Sequence, residues 1–240
     1  MRLSNSELLS LLKRALEGSG WTQGRYEEPA HAIWWLECHG INWLENLPNI
    51  WPRLIQTGPP MTELVSNHGA ESVIDAGSAS LLHCGPNSVD LSFANACAED
   101  LASVETRNCT DRMLIVAELA TLAKRGASAL ARWYSKATLH VATIEAGGRF
   151  PEYTAFETET GDRIDTTSLF LICSREEDGM NHYRHNLSKL TQSNPVRESH
   201  TAEQFRQRSA ASRANGIEIP DEAIELLTQA GDRVLVATPE

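Results

Sequence analysis

The sequence predicts an α+β protein: an N-terminal helical layer packed on a mixed or antiparallel sheet, with a β-meander and C-terminal helices. Residues 20–54, GWTQGRYEEPAHAIWWLECHGINWLENLPNIWPRL, hold Trp21, Trp34, Trp35, Trp43 and Trp51, five of the six tryptophans. Residues 130–174 are short β-branched and aromatic runs divided by Gly147-Gly148 and Thr160-Gly161-Asp162, the texture of hairpin-linked strands. From Thr201 the chain returns to helical spacing. There is no internal repeat or linker, so one α+β domain over residues 1–240 is expected. Its segments are a helical 1–60, a mixed 61–128, a meander over 129–175 and a helical tail over 176–240.

The first helix is signed by a capping box, Ser4 with Glu7, and by Leu3 and Leu8 at hydrophobic-staple positions. Leu8, Leu11, Leu12, Ala15 and Leu16 form one apolar stripe, and Gly18 is read as its left-handed stop. A second helix is expected from Tyr26 to His39, with Pro29 in its first turn and Gly40 after its end. A short helical piece over 41–47 and an irregular 48–60 follow. Beyond Met61, runs at 63–65, 72–75 and 79–83 are broken by Gly69, Gly77 and Gly85 and read as strands. Pro86 then opens a helix carrying Val89, Phe93, Ala96 and Cys97. Asp111–Arg125, behind a Thr110 cap, is apolar on most faces and reads as a buried central helix. Strands are expected at 132–134, 138–144, 153–156 and 168–173. In the tail, Thr201 and Gln204 cap an Arg-rich helix to about Ala214; Asp221–Ala230 forms another, and 233–237 a last strand.

The formal net charge of −11 is carried mainly by residues 1–120, with 7 Lys/Arg against 15 Asp/Glu; residues 121–240 have 14 against 17. Such a field repels phosphate backbones and anionic lipid, so neither nucleic acid nor membrane is an expected partner. The five cysteines, Cys38, Cys84, Cys97, Cys109 and Cys173, are odd in number and unpaired in spacing, unlike a disulfide framework. The N-terminus is too polar for a signal sequence, and no apolar run approaches ~18 residues. Asn108-Cys109-Thr110 and Asn186-Leu187-Ser188 match the glycosylation pattern by chance on this reading. A soluble cytoplasmic protein is expected.

Three places could carry chemistry. His83-Cys84-Gly85-Pro86 lies at a strand-to-helix turn, where a helix dipole would favour the Cys84 thiolate. The amides of Asn87 and Ser88, with Gly85 and Asp90 beside them, could then hold a carboxylate or phosphate. The alternative is a buried cysteine packing as a small hydrophobe. His182-x-x-His185, near Glu176, Glu177 and Asp178, offers weak metal candidates, but no zinc signature is present and Arg184 stands between them, so no metal is assigned. Gly18-x-Gly20-x-x-x-Gly24 follows a helix rather than a strand, which sets it apart from a dinucleotide fingerprint. Trp34 and Trp35 point to different sides of their helix, toward a core, a ligand or a second chain.

The run SNSELLSLLKRALEGSGWTQGRYEEPAHAIWWLECHGINWLENL, followed by CGPNSVD, resembles an uncharacterised family of bacterial proteins known as a domain of unknown function, over most of the chain. Over residues 6–44 the chain is also similar to the opening helices of the malate/L-lactate dehydrogenase family of nicotinamide-dependent oxidoreductases. That family's run ends in Ser-His-Gly where Cys38-His39-Gly40 stands here, and the resemblance implies His39 as the counterpart of a functional histidine. The family's glycine-rich nicotinamide region has no match in residues 60–240.

Two functions follow as expectations. One is an accessory or binding subunit of small-molecule metabolism, its tryptophan-rich helices docking a partner or its own copy; this reading is slightly favoured, because no catalytic constellation stands out. The other is an oxidoreductase-like enzyme acting on a carboxylate-bearing substrate, with Cys84 or His39 as the reactive group and the helix amides holding the anion. The cofactor is left unknown.

Overall fold

The computed structural model describes residues 1–56, 62–158, 166–176 and 178–235. In chain order, strand β1 (Arg2–Leu3) leads into helix α1 (Asn5–Gly18) and helix α2 (Glu27–Cys38). A 3-10 turn at Trp43–Asn46 runs into α3 (Leu47–Gln56). The hairpin β2 (Glu63–His68) and β3 (Glu71–Asp75) precedes α4 (Leu81–Glu99), β4 (Leu101–Arg107) and α5 (Ile115–Lys124). Then come β5 (Ser128–Ser135), β6 (Thr138–Ile144), β7 (Glu152–Glu157) and β8 (Leu169–Ser174). The chain ends with α6 (Asn181–Thr191), β9 (Val196–His200), α7 (Ala202–Asn215), β10 (Ile217–Glu218) and α8 (Asp221–Gly231). The fold is α+β, as the sequence predicts.

Two compact units divide the chain: residues 1–59 with 205–240, and residues 60–204. The first division falls where the sequence texture changes, although the sequence reading kept both parts in one domain. The first unit is helical, with a two-strand antiparallel sheet of β1 and β10. Both arms of the Ser4–Glu7 capping box are formed, and Leu8, Leu12, Ala15 and Leu16 are buried. Gly18 is not a left-handed stop. A Cβ built there would lie 1.9 Å from the Ala230 carbonyl oxygen, so its missing side chain is what lets α1 and α8 close. Gly20, at φ +90, makes the turn instead. Residues 48–56, within the stretch expected to be irregular, are helical despite Pro52, and 233–235, the described part of the expected last strand, form a 3-10 turn.

The second unit is an eight-strand sheet in the order β2-β3-β4-β8-β5-β6-β7-β9. Every neighbouring pair is antiparallel except β3 and β4. The predicted meander holds for β5, β6 and β7, while β8 returns to the other side of β5. Strands β4 and β9 were missed by the sequence reading. The larger correction concerns α4. Residues 79–83 are not a strand: the Ser80 side chain caps Leu82, and the helix starts at Leu81 with Gly85 and Pro86 inside it. Cys84, Ser88, Ser92 and Ala96 recur at i, i+4 on one buried face, and the Ser88 hydroxyl meets that of Thr106 on β4 at 2.8 Å. This stripe of small side chains lets α4 lie close on the sheet. The Thr160–Asp162 turn lies outside the described residues. No helix among the described residues is long and apolar enough to cross a membrane.

Gly18→Ala forces a methyl group into the Ala230 carbonyl, and overpacking of this kind costs about 1–3 kcal/mol. Chemical denaturation of the variant should show that loss; unchanged stability would mean that α1 and α8 are not held this closely.

Candidate functional site

Cys84 and His39, the two reactive groups the sequence suggests, belong to different units. Because α4 begins at Leu81, Cys84 sits in its first turn and a half with its thiol directed to the Ser80 carbonyl. Burial pushes that thiol up to about 12, opposite to the activated thiolate expected. The anion site at the helix start is also closed. Leu81 N–H donates to Thr110 O, Leu82 N–H to Ser80 Oγ and His83 N–H to Ser80 O. Gly85, Asn87 and Ser88 lie further along the helix, and Asp90 pairs with Arg125 at 2.6 Å.

In the first unit, His39 is 4 % exposed and stacks on Trp35 at 3.9 Å, with the Phe205 ring edge-on at 6.2 Å. Its Nδ1 lies 2.6 Å from Trp35 O, which makes Nδ1 the protonated nitrogen, and burial holds the imidazole down to about 4. Trp34 donates its indole N–H to Asn5 O. Glu37 accepts the Leu44 N–H at 2.7 Å, fastening the 3-10 turn, and burial raises its carboxyl to about 7. The neighbouring Cys38 thiol is pushed up to about 12. His182 and His185 stand exposed on α6, His182 bonded to Asn186 at 2.8 Å. Glu177 lies outside the described residues, and among those described no group of three metal-ligating side chains converges.

The richest constellation is one the sequence reading missed. Four strands of the second unit each place one ring on the same sheet face: Trp133 on β5, His140 on β6, Tyr153 on β7 and His200 on β9. Trp133 pairs with His140 across the ladder, and Tyr153 with His200. The rings stack at 4.9, 6.1 and 5.9 Å in that order, with interplanar angles of 3, 17 and 19°. Through their edges runs a hydrogen-bond chain. Ser135 Oγ lies 2.5 Å from His140 Nε2, and His140 Nδ1 lies 2.8 Å from Tyr153 Oη. Beside it His200 Nε2 meets Glu198 Oε1 at 2.7 Å.

This chain opens on a cavity of ≈ 680 Å³ lined by Ser135, Lys136, Thr138, His140, Tyr153, Thr158, Arg197 and Glu198 among others. Burial, with help from Arg112, lowers His140 to about 4, and burial, with help from Glu198, raises Tyr153. Both are therefore neutral near pH 7. Either hydroxyl can donate to the imidazole while the other accepts from it, so the trio can pass a proton in either direction. Lys136 and Arg197 bring positive charge to a wall that also carries Glu157 and Glu198, and the Thr158 hydroxyl has no partner among the described residues. Lys136 holds φ +52 in the two-residue turn between β5 and β6, a conformation that disfavours any residue but glycine.

Residues 3–84 match the model of a family described as a protein of unknown function (DUF3726). No curated protein matches the sequence. Among solved structures, the chain is similar to malate dehydrogenase from Pyrococcus horikoshii OT3, at 12 % identity and TM-score 0.71, over 98 % of this chain and 95 % of that one. A dehydrogenase from Sinorhizobium meliloti is similar at 15 % identity and TM-score 0.71, over 96 % and 99 %. Δ1-Piperideine-2-carboxylate reductase from Pseudomonas syringae pvar. tomato is similar at 12 % identity and TM-score 0.63, over 96 % and 99 %. Both resemblances read from the sequence are thus found. The unknown-function match is confined to the N-terminal third, and the dehydrogenase likeness extends over nearly the whole chain. Identities this low show a shared fold alone.

Two outcomes test the site. Lys136→Gly removes the left-handed strain and should raise stability by about 0.5–1 kcal/mol, measured by denaturant midpoint; a lower midpoint would mean the turn is not strained. For pH, His39 and His140 have folded values below the ordinary 6.5, so the unfolded chain takes up protons first and stability falls as pH drops from 6.5 toward 4. Glu37, raised above its ordinary 4.5, acts oppositely: its contribution is whole below 4.5 and is lost as pH rises through 7. It therefore offsets His39, leaving about 1.4 kcal/mol per pH unit from His140. Glu37→Gln should steepen the slope between pH 6.5 and 4.5, and His140→Gln should flatten it.

Proposed function

We propose that this protein is an enzyme acting on a carboxylate-bearing small molecule, with the second unit's cavity as its site. The observation that carries the reading is the Ser135–His140–Tyr153 chain opening on a cavity edged by Lys136 and Arg197. Lys136 and Arg197 hold the carboxylate; the Thr158 hydroxyl offers a further hydrogen bond. Neutral His140, backed by Tyr153 and Ser135, moves a proton to or from an oxygen next to that carboxylate, and the chain returns it along the same hydrogen bonds. The strained turn at Lys136 fits a residue kept for its position rather than for stability. The fold it shares with dehydrogenases and a reductase supports an oxidoreductase-like enzyme.

A nicotinamide dinucleotide would need donors for its diphosphate. Among the described residues of the second unit, the α4 amides are used internally, and the Gly147 and Gly148 N–H groups bond Ala123 O and Glu145 O. These particular amides are not diphosphate donors; His140 would supply the proton of a 2-oxo/2-hydroxy interconversion, and an added reduced nicotinamide would supply the hydride. The accessory-subunit reading loses support, because Trp34 and Trp35 are engaged with Asn5, His39 and Phe205 inside the first unit.

The test is a thermal-shift and turnover screen of 2-oxo and 2-hydroxy acids, with and without reduced nicotinamides. A substrate at ~100 times its dissociation constant stabilises by about 2.7 kcal/mol. His140→Gln should then cut kcat at least ~100-fold, in the range of a lost general acid–base group, and Arg197→Gln should raise KM. Turnover that survives His140→Gln unchanged would refute the assignment.

A further inference from the structure

The opposite face of the same sheet carries a second recess. Neighbours on a strand point to opposite faces, so Arg132 faces away from the ring row to which Trp133 belongs. Here α6 lies on the sheet through Tyr183 and Leu187, which pack against Leu130, Ile172 and Met180. No residue of α6 is buried. Beside this contact a cavity of ≈ 470 Å³ remains, with Leu130, Ile172, Leu187 and Leu190 as apolar lining, Arg132 and Phe170 on its wall, and Glu71 and Ser103 on the neighbouring strands.

The arginine identifies the ligand. Its guanidinium lies over the Phe170 ring, 4.9 Å from the centroid, and among the described residues it has no ion pair. Glu105 shares its row across β8 but is paired with Arg107 at 2.8 Å. A half-buried cation without an ion pair among the described residues, on the wall of a recess whose carboxylate Glu71 lies on another strand, matches an anionic head followed by a hydrocarbon tail. Leu190, 43 % exposed at the rim, would be covered by that tail. We infer that this recess binds a medium-chain monocarboxylate, its carboxylate on Arg132 and its tail along Leu130, Ile172, Leu187 and Leu190, separately from the His140 cavity.

The probe is sodium octanoate, titrated calorimetrically into the full chain. One site per chain is expected, weakened at least tenfold in Arg132→Gln, partly restored in Arg132→Lys and unaffected by His140→Gln. Leu190→Glu, at an exposed position that leaves the fold intact, should weaken binding at least fivefold by placing a like charge at the rim. The inference is overturned if octanoate gives no heat up to millimolar concentration, if octan-1-ol binds as tightly, or if folded Arg132→Gln binds within twofold of the unaltered protein. Loss of binding in His140→Gln alone would assign the octanoate to the other cavity and overturn it equally.

Discussion

Strand register is the constraint on which the second unit depends. Rings on adjacent strands can stack only where the ladder sets them opposite one another, and the 4.9 to 6.1 Å between centroids is close to the spacing of the strands themselves. A slip of one residue in β6 would turn His140 to the other face and break its bonds to both Ser135 and Tyr153. The same alternation puts Arg132 and Phe170 on the far side. One register thus builds a polar, ring-walled cavity on one face and an apolar recess on the other.

The ring row also explains why the hydrogen-bond chain is neutral. Trp133 and Tyr153 both pack beside His140, and this burial costs its charged form hydration, so the imidazole stays unprotonated. A neutral imidazole between two hydroxyls can exchange donor and acceptor roles without separating charge. In the first unit His39 is equally neutral, but its Nδ1 is committed to a helix carbonyl and its ring is sandwiched in packing. Two histidines with the same depressed value therefore differ in what they can do. The partners decide it, not the titration.

Local signals complete within a few residues held, while those that depend on distant partners misled or were silent. Both capping boxes form, at Ser4 with Glu7 and at Thr201 with Gln204, because each is complete within four residues. Strands β5 to β8 were legible from their own composition. The start of α4 was misread because Gly85-Pro86 imitates a helix opening, while the cap that acts is Ser80 and the Leu81 amide is taken by Thr110, distant in sequence. β4 and β9 are polar enough, as LASVETR and VRESH, to escape a pattern search. Gly18 was given a conformational role when its role is steric, which only the position of Ala230 reveals. The ring row was invisible for a related reason: its four members come from four strands, and one of those strands was not foreseen. Trp133, the tryptophan outside the N-terminal stretch, was the one signal present.

That displacement of attention bears on function. Tryptophan-rich helices invite a docking interpretation, but large aromatic residues also do the ordinary work of closing a small core. In the first unit Trp43 and Trp51 are buried, Trp34 is bonded to α1, and Trp35 covers His39 and Phe205. These four residues hold short helices together. The second unit has the reverse character. Its His140 cavity combines a hydrogen-bond chain, two cations, two carboxylates, a wall hydroxyl and a left-handed lysine, the last of which costs stability where it stands. These features gather on one sheet face, where the hydrogen-bond chain meets the cavity.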